Sequence, residues 1–180
     1  MAKKVLFITS NIGIEEDELI KPLQYLQSKG IESIHAAIKN EEVILVKADK
    51  ERVGSLNPNT TLDKVAFEDY DLLVIPGGTV NADTLRINED AKKIIQYFTD
   101  NQKPIAAICH APWVFINAER IKDKNLTSYY SIKLDLENSG AHWKDEEVHR
   151  CNTNGWPLIT SRNPDDIPAF NEAILKELEK

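Results

Sequence analysis

Apolar residues are distributed along this chain in two rhythms. Short uninterrupted runs, Val5-Leu6-Phe7-Ile8, Leu72-Leu73-Val74-Ile75 and Ile105-Ala106-Ala107-Ile108, are bounded by Lys, Asp, Pro and Gly and predict buried strands. Between them lie longer stretches with helical spacing. Lys4 to Ser10 predicts a strand that ends in the loop composition Thr9-Ser10-Asn11-Ile12-Gly13. The carboxylates of Glu15-Glu16-Asp17-Glu18 suit the positive end of a helix, which runs to Lys29, stops at Gly30 and turns Leu19, Leu23, Leu26 and Ile20 inward. Ile31 to Ile38 gives a second strand in which Ile34, Ala36 and Ile38 alternate. From Lys39 to Val65 the pattern breaks into short β-like pieces, Val43 to Val46 and Thr60 to Leu62, and predicts a hairpin excursion from the main sheet.

The second half repeats the alternation. Asp71 to Ile75 predicts a core strand closed by Pro76-Gly77-Gly78, and Asn88 caps a helix to Asp100 with Ala91, Ile94, Ile95 and Phe98 inward. Pro104 to Ile108 follows as a strand, and an apolar segment after Cys109 ends near Ala118. Then come a β piece near Asn125 to Thr127, a helix from Ile132 to Asn138 ended by Gly140, and paired strands near Val148 and Leu158 to Thr160. An amphipathic helix from Asp165 to Lys180 tolerates Pro168 in its first turn. Strands alternating with helices predict one α/β domain over residues 1–180, with a mostly parallel sheet covered on both faces.

Composition narrows the class of partner. An apolar content of 42% with 28% charged residues is that of a folded globular chain. A net charge of −7 repels phosphate backbones and anionic lipid, so nucleic acid and membrane are poor partners. The basic start Met1-Ala2-Lys3-Lys4 leads into an apolar run that stops at Thr9, too short for a signal peptide, and the expected location is the cytoplasm. There Cys109 and Cys151 are expected as free thiols.

Candidate chemistry gathers where strands end. Cys109 falls at a strand-to-helix turn, where helix amides and dipole are expected to lower a thiol's pKa, although the same pattern fits a buried structural cysteine. Gly77 and Gly78 at another strand's carboxyl end allow a close backbone approach or a positive φ, and the first loop carries Glu15 and Glu16. A nucleophile at Cys109, amides from Gly77, Gly78 and the turn after the cysteine, and a carboxyl from the first loop make a site for attack on a carbonyl. Cys151, with no helix start or acidic residue beside it, is the less reactive thiol in this reading.

Ala107-Ile108-Cys109-His110-Ala111-Pro112, with Pro76-Gly77-Gly78 and Leu85-Arg86, resembles the ThiJ/PfpI superfamily and within it the PfpI-type intracellular cysteine peptidase branch. The similarity continues through Leu126 to Tyr129, Asn138 to Ala141 and Thr160 to Asp166. It implies a flavodoxin-like three-layer sandwich with Cys109 as nucleophile at an elbow, His110 beside it, and Glu15, or Glu16 if the loop register shifts, against the thiol. Gly77, Gly78 and Ala111 are the candidate oxyanion and substrate positions. It also implies a homo-oligomer, in which Asp83 of one subunit approaches the histidine of another.

The expected activity is that of a cysteine-dependent stress enzyme. Its substrate is either a peptide, or a 2-oxoaldehyde and its adducts on proteins. The alternative is a redox sensor or chaperone-like protein with an oxidisable Cys109. A glutamine amidotransferase is excluded, because a late His-x-Glu is missing: His142 precedes Trp143-Lys144 and His149 precedes Arg150-Cys151. No cofactor is expected, since Glu15 to Glu18 would repel a flavin phosphate. No metal is expected either, since His35, His110, His142 and His149 lack ligand spacing and a Cys-His pair falls short of a zinc set.

Overall fold

Strands buried along almost their whole length make the centre of the molecule. The computed structural model describes residues 3–180, so Met1 and Ala2 of the basic start lie outside the described residues. In chain order the elements are β1 (Lys4–Thr9), β2 (Ile12–Glu15), α1 (Glu16–Ser28), β3 (Glu32–Ala37), β4 (Val43–Lys47), β5 (Glu51–Leu56), β6 (Thr60–Thr61), β7 (Leu72–Ile75) and α2 (Thr79–Arg86). They continue as α3 (Glu89–Asp100), β8 (Ile105–Ile108), α4 (Trp113–Asn117), β9 (Asn125–Leu126), α5 (Lys133–Asn138), β10 (His142–Trp143), β11 (His149–Cys151), β12 (Leu158–Ser161) and α6 (Ile167–Leu178).

The main sheet runs in the order β11-β12-β8-β7-β1-β3-β6, and every neighbouring pair is parallel except β11 with β12. Successive strand residues point to opposite faces. Leu6, Ile8, Leu73 and Ile75 therefore pack with α3 and α4, while Val5, Phe7, Leu72 and Val74 pack with α1 and α6. This is the flavodoxin-like α/β sandwich, with both faces of the sheet covered. Among the described residues no helix is long and apolar enough to cross a membrane.

The predicted cap holds: the Asn88 side chain accepts from the Ala91 amide at 2.9 Å, and α3 starts at Glu89. Three local readings are corrected. The first loop is partly extended, because β2 pairs with β4 in a separate three-stranded sheet. The hairpin joins β4 to β5, while Thr60–Thr61 returns to the edge of the main sheet beside β3. The stretch after Gly78, to which the apolar pattern assigned no element, is helix α2. Its inward residues, Asn81, Ala82 and Leu85, include a polar one, so the apolar spacing was hidden. Asn81 is buried because its side chain ties together the backbone of Ser10, Pro76 and Gly77.

Candidate active site

Strand β8 ends at Ile108, and the chain turns sharply before α4. Cys109 makes that turn at φ 64°, a left-handed conformation costing a non-glycine residue on the order of 1–3 kcal/mol. Its backbone is held on both sides: the Cys109 amide donates to the Ser161 carbonyl at 3.0 Å, and its own carbonyl accepts from Tyr129 at 2.9 Å. The turn points the sulfur into a cleft of about 390 Å³, yet leaves Cys109 only 3% exposed. The helix after it is short and begins four residues on, at Trp113, so little of the expected dipole reaches the sulfur.

The carboxyl at the thiol is that of Glu18, not Glu15 or Glu16. Glu18 lies on the buried stripe of α1 with Leu19, Pro22 and Leu26, and Oε2 accepts from the Gly77 amide at 2.8 Å. Its Oε1 is buried with no hydrogen-bond partner among the described residues. Burial, and then the nearby charges of Glu15 and Asp49, push the Glu18 carboxyl well above the usual carboxylate range, against the pull of the Gly77 hydrogen bond. Burial likewise pushes the Cys109 thiol up, with the charges of Glu18 and Asp49 adding to it and the His110 amide opposing. Burial of Glu18 favours its neutral acid, which faces the sulfur and removes one of those charges.

Glu15 has a different task. Its two carboxylate oxygens accept from the amides of Ala48 and Asp49 at 2.9 and 3.0 Å. Those two residues form the tip between β4 and β5 with successive positive φ values, 53° and 60°, so Glu15 clamps a strained turn over the cleft. Glu16 is half-buried at the start of α1. The clamp delivers Asp49, a residue that sequence reasoning missed. Its carboxylate accepts from the Thr79 amide at 2.7 Å and the Thr79 hydroxyl at 3.0 Å, and Oδ2 stands 3.8 Å from His110 Nδ1.

His110 is buried. Nδ1 lies 3.1 Å from the Cys109 sulfur, and Nε2 lies 3.1 Å from the Ser131 hydroxyl. The ring stacks on Tyr129 with centroids 4.8 Å apart and packs against Trp113. Burial holds the imidazole below its usual pKa against the opposing charge of Asp49, which favours a neutral ring. A neutral ring with its proton on Nε2, toward Ser131, presents Nδ1 as an acceptor to the thiol.

The remaining predicted positions divide. Gly77 and Gly78 both lie in the site, for reasons of space and not of positive φ. A Cβ on Gly77 would stand 2.4 Å from Glu18 Oε2 and 2.7 Å from Cys109 Cβ; one on Gly78 would stand 2.5 Å from Asp49 Oδ1. The Gly77 amide is committed to Glu18 and the Ala111 amide donates to the Ile108 carbonyl, so neither is an open oxyanion donor. Ala111 packs in the core with Val114 and Phe115 and not in the cleft. Asp83 is exposed on α2 and bonded to Arg86, whose guanidinium covers the Trp113 ring. Within this chain the acid that faces His110 is Asp49.

Cys151 also departs from expectation. Its sulfur accepts from the Asn125 amide at 3.4 Å and contacts the Thr153 hydroxyl at 3.3 Å. Burial opposes ionisation there, but the Thr153 and Asn125 hydrogen bonds and the Lys124 charge together hold this thiol below its usual pKa. The direction is opposite to that at Cys109. Lys124, fully buried, is brought down to about 8 by burial, against the countering Cys151 charge.

A family model described as the DJ-1/PfpI family matches residues 3–177. The chain is 36% identical over 180 residues to "General stress protein 18" of Bacillus subtilis, covering 100% of both chains. It is 34% identical over 182 residues to "Putative cysteine protease YraA" of the same organism, covering 99% of each. Among solved structures, Drosophila melanogaster DJ-1beta superposes with a TM-score of 0.87 at 31% identity, over 99% of this chain and 91% of that one.

Proposed function

The chain belongs to the DJ-1/PfpI family, and from that premise we propose that it is a cysteine-dependent enzyme that converts small 2-oxoaldehydes, free or as adducts on amines, to 2-hydroxy acids. One observation carries the reading: a nearly buried thiol held at φ 64° between the Glu18 carboxyl and His110 Nδ1, at the floor of a cleft of about 390 Å³. That volume suits a small molecule. Carboxyl groups of Glu15, Asp17, Glu18, Asp49 and Asp165 line it, with Lys47 as the one basic residue, which favours a neutral substrate over an anionic one.

The chemistry follows from the donors in place. His110 Nδ1 takes the thiol proton as sulfur adds to the aldehyde carbon, and Asp49 steadies the imidazolium that forms. The neutral Glu18 acid gives a proton to the developing alkoxide, leaving a hemithioacetal and a carboxylate. Glu18 then removes the hydrogen on that carbon and returns a proton to the adjacent one. The first carbon is oxidised and its neighbour reduced, so no external electron carrier enters. Water cleaves the resulting thioester, releasing the 2-hydroxy acid and restoring the thiol. Addition to an aldehyde asks less of the site than addition to an amide, because the aldehyde carbon is more electrophilic.

Asp49 supplies an acid to His110 within one chain, so this reading does not require Asp83 from a second subunit. The test is incubation of the purified protein with methylglyoxal, following loss of the aldehyde and appearance of lactate, alongside a panel of peptides. Lactate formation that disappears in Cys109→Ser supports the proposal. Cleavage of peptides with no turnover of any 2-oxoaldehyde would establish the peptidase reading in its place.

A further inference from the structure

Asp49, Cys109 and His110 bring three different metal-ligating atoms to one point. A carboxylate oxygen, the sulfur and a ring nitrogen all lie within 4.8 Å of one another. In the sequence β5, three strands of the main sheet and two helices separate Asp49 from the other two, so ligand spacing could not show the set. We propose that these residues form a three-ligand site for a zinc-class divalent cation, and that bound metal withholds the Cys109 thiolate from attack on substrate.

The geometry supports this in four respects. First, tetrahedral coordination with bonds of about 2.0–2.3 Å places donor atoms about 3.3–3.6 Å apart. The Nδ1-to-sulfur separation is 3.1 Å, the Nδ1-to-Oδ2 separation 3.8 Å and the sulfur-to-carboxylate separation no more than 4.8 Å, so side-chain adjustments of up to about 1 Å close the set. Second, thiolate, imidazole and carboxylate together match zinc and its neighbours in the transition series, and not magnesium or calcium.

Third, the ligands are held from behind. Ser131 at Nε2 orients the imidazole with Nδ1 inward, and the Thr79 amide and hydroxyl fix the Asp49 carboxylate. Fourth, Cys109 and Asp49 line the cleft, which gives the ion an entry path and leaves a fourth position for water. The acidic lining adds long-range attraction for a cation. Binding replaces the thiol proton with metal: one proton leaves for solvent, Asp49 binds as carboxylate, and His110 binds neutral through Nδ1. No bond of the protein is oxidised or reduced.

The inference goes beyond the aldehyde reading and stands or falls separately from it, because it is read from the metal and not from turnover. The chelator-treated full-length protein is titrated with cobalt(II) as an optical probe. The expected result is one equivalent bound, with a thiolate-to-cobalt charge-transfer band and the d–d intensity of a tetrahedral ion. The band is lost in Cys109→Ser, and affinity falls by at least about tenfold in Asp49→Asn. A second measurement needs no variant. Zinc should slow alkylation of Cys109 and spare Cys151, as resolved by peptide mass spectrometry, and a chelator should restore the rate. Absence of the band, its survival in Cys109→Ser, or unchanged affinity in an Asp49→Asn protein with native circular dichroism would each overturn the proposal.

Discussion

The Glu18 carboxyl accepts the Gly77 amide at 2.8 Å and is thereby held facing Cys109. A buried carboxyl kept as the neutral acid raises its folded-state pKa above the unfolded value, so its contribution to stability is present at low pH and is lost as pH rises through the folded value. Glu18→Gln removes that titration. The variant should lose less stability than wild type as pH rises above the usual carboxylate range, while turnover falls by about a hundredfold or more. Thermal melts across pH and the methylglyoxal assay check the two halves. A variant with wild-type turnover would remove Glu18 from proton transfer.

Asp49 and Asp83 offer two candidate acids for one histidine. Asp49 stands 3.8 Å from His110 Nδ1, whereas Asp83 is bonded to Arg86 on an exposed helix face. Asp49→Asn should lower kcat by about tenfold to a thousandfold, and Asp83→Asn should stay within about twofold. Glu15→Gln should show part of the Asp49 effect, because it loosens the turn at Ala48 and Asp49. The reverse order for Asp49 and Asp83, together with a concentration-dependent activity, would place the working acid in a neighbouring subunit.

Gly77 is required by space. Its missing Cβ would overlap Glu18 Oε2 and Cys109 Cβ, both fixed by the surrounding backbone, whereas a Cβ on Gly54 in β5 meets nothing within 4 Å. Gly77→Ala should therefore cost about 1–3 kcal/mol, and Gly54→Ala about zero. Denaturant titration of the pair reports the difference directly. Equal stability in the two variants would mean that the elbow relaxes around an added methyl.

His35 sets an acid limit on the fold. Burial in β3 lowers its pKa to about 4; Nε2 pairs with the Thr9 hydroxyl at 2.7 Å, and Nδ1 is buried without a partner among the described residues. A depressed folded-state pKa favours folding above the unfolded value of about 6.5 and loses that advantage as pH falls through about 4. The loss over that window is about 3 kcal/mol. His35→Gln should flatten this part of the acid limb in melts between about pH 7 and pH 4. An unchanged acid limb would assign the loss to other groups.

Much of this protein was legible in the chain alone. The uninterrupted runs at Val5, Leu72 and Ile105, the Asn88 cap and the Gly30 stop each depend on neighbouring residues and the periodicity of one element, and the α/β architecture follows from their order. Cys109 at a strand-to-helix turn was legible for the same reason, whereas the space that Gly77 leaves for Glu18 and Cys109 was not, because both are distant in sequence. The buried carboxyl left a local trace that was passed over: Glu18 shares the stripe of Leu19, Pro22 and Leu26 in α1, whereas Glu15 lies before the helix begins.

Tertiary structure decided the rest, because it concerns which distant groups meet and how much water they keep. Asp49 is brought to His110 by a hairpin tip whose left-handed residues are clamped by Glu15, a relation carried by no spacing in the sequence. The opposite shifts of the two thiols are likewise a matter of surroundings: burial beside Glu18 and Asp49 raises Cys109, while hydrogen bonds and the Lys124 charge lower Cys151. Local sequence dictates backbone preference and the side of an element a residue occupies. Desolvation and through-space charge, which set proton positions and ligand sets, are properties of the packed chain.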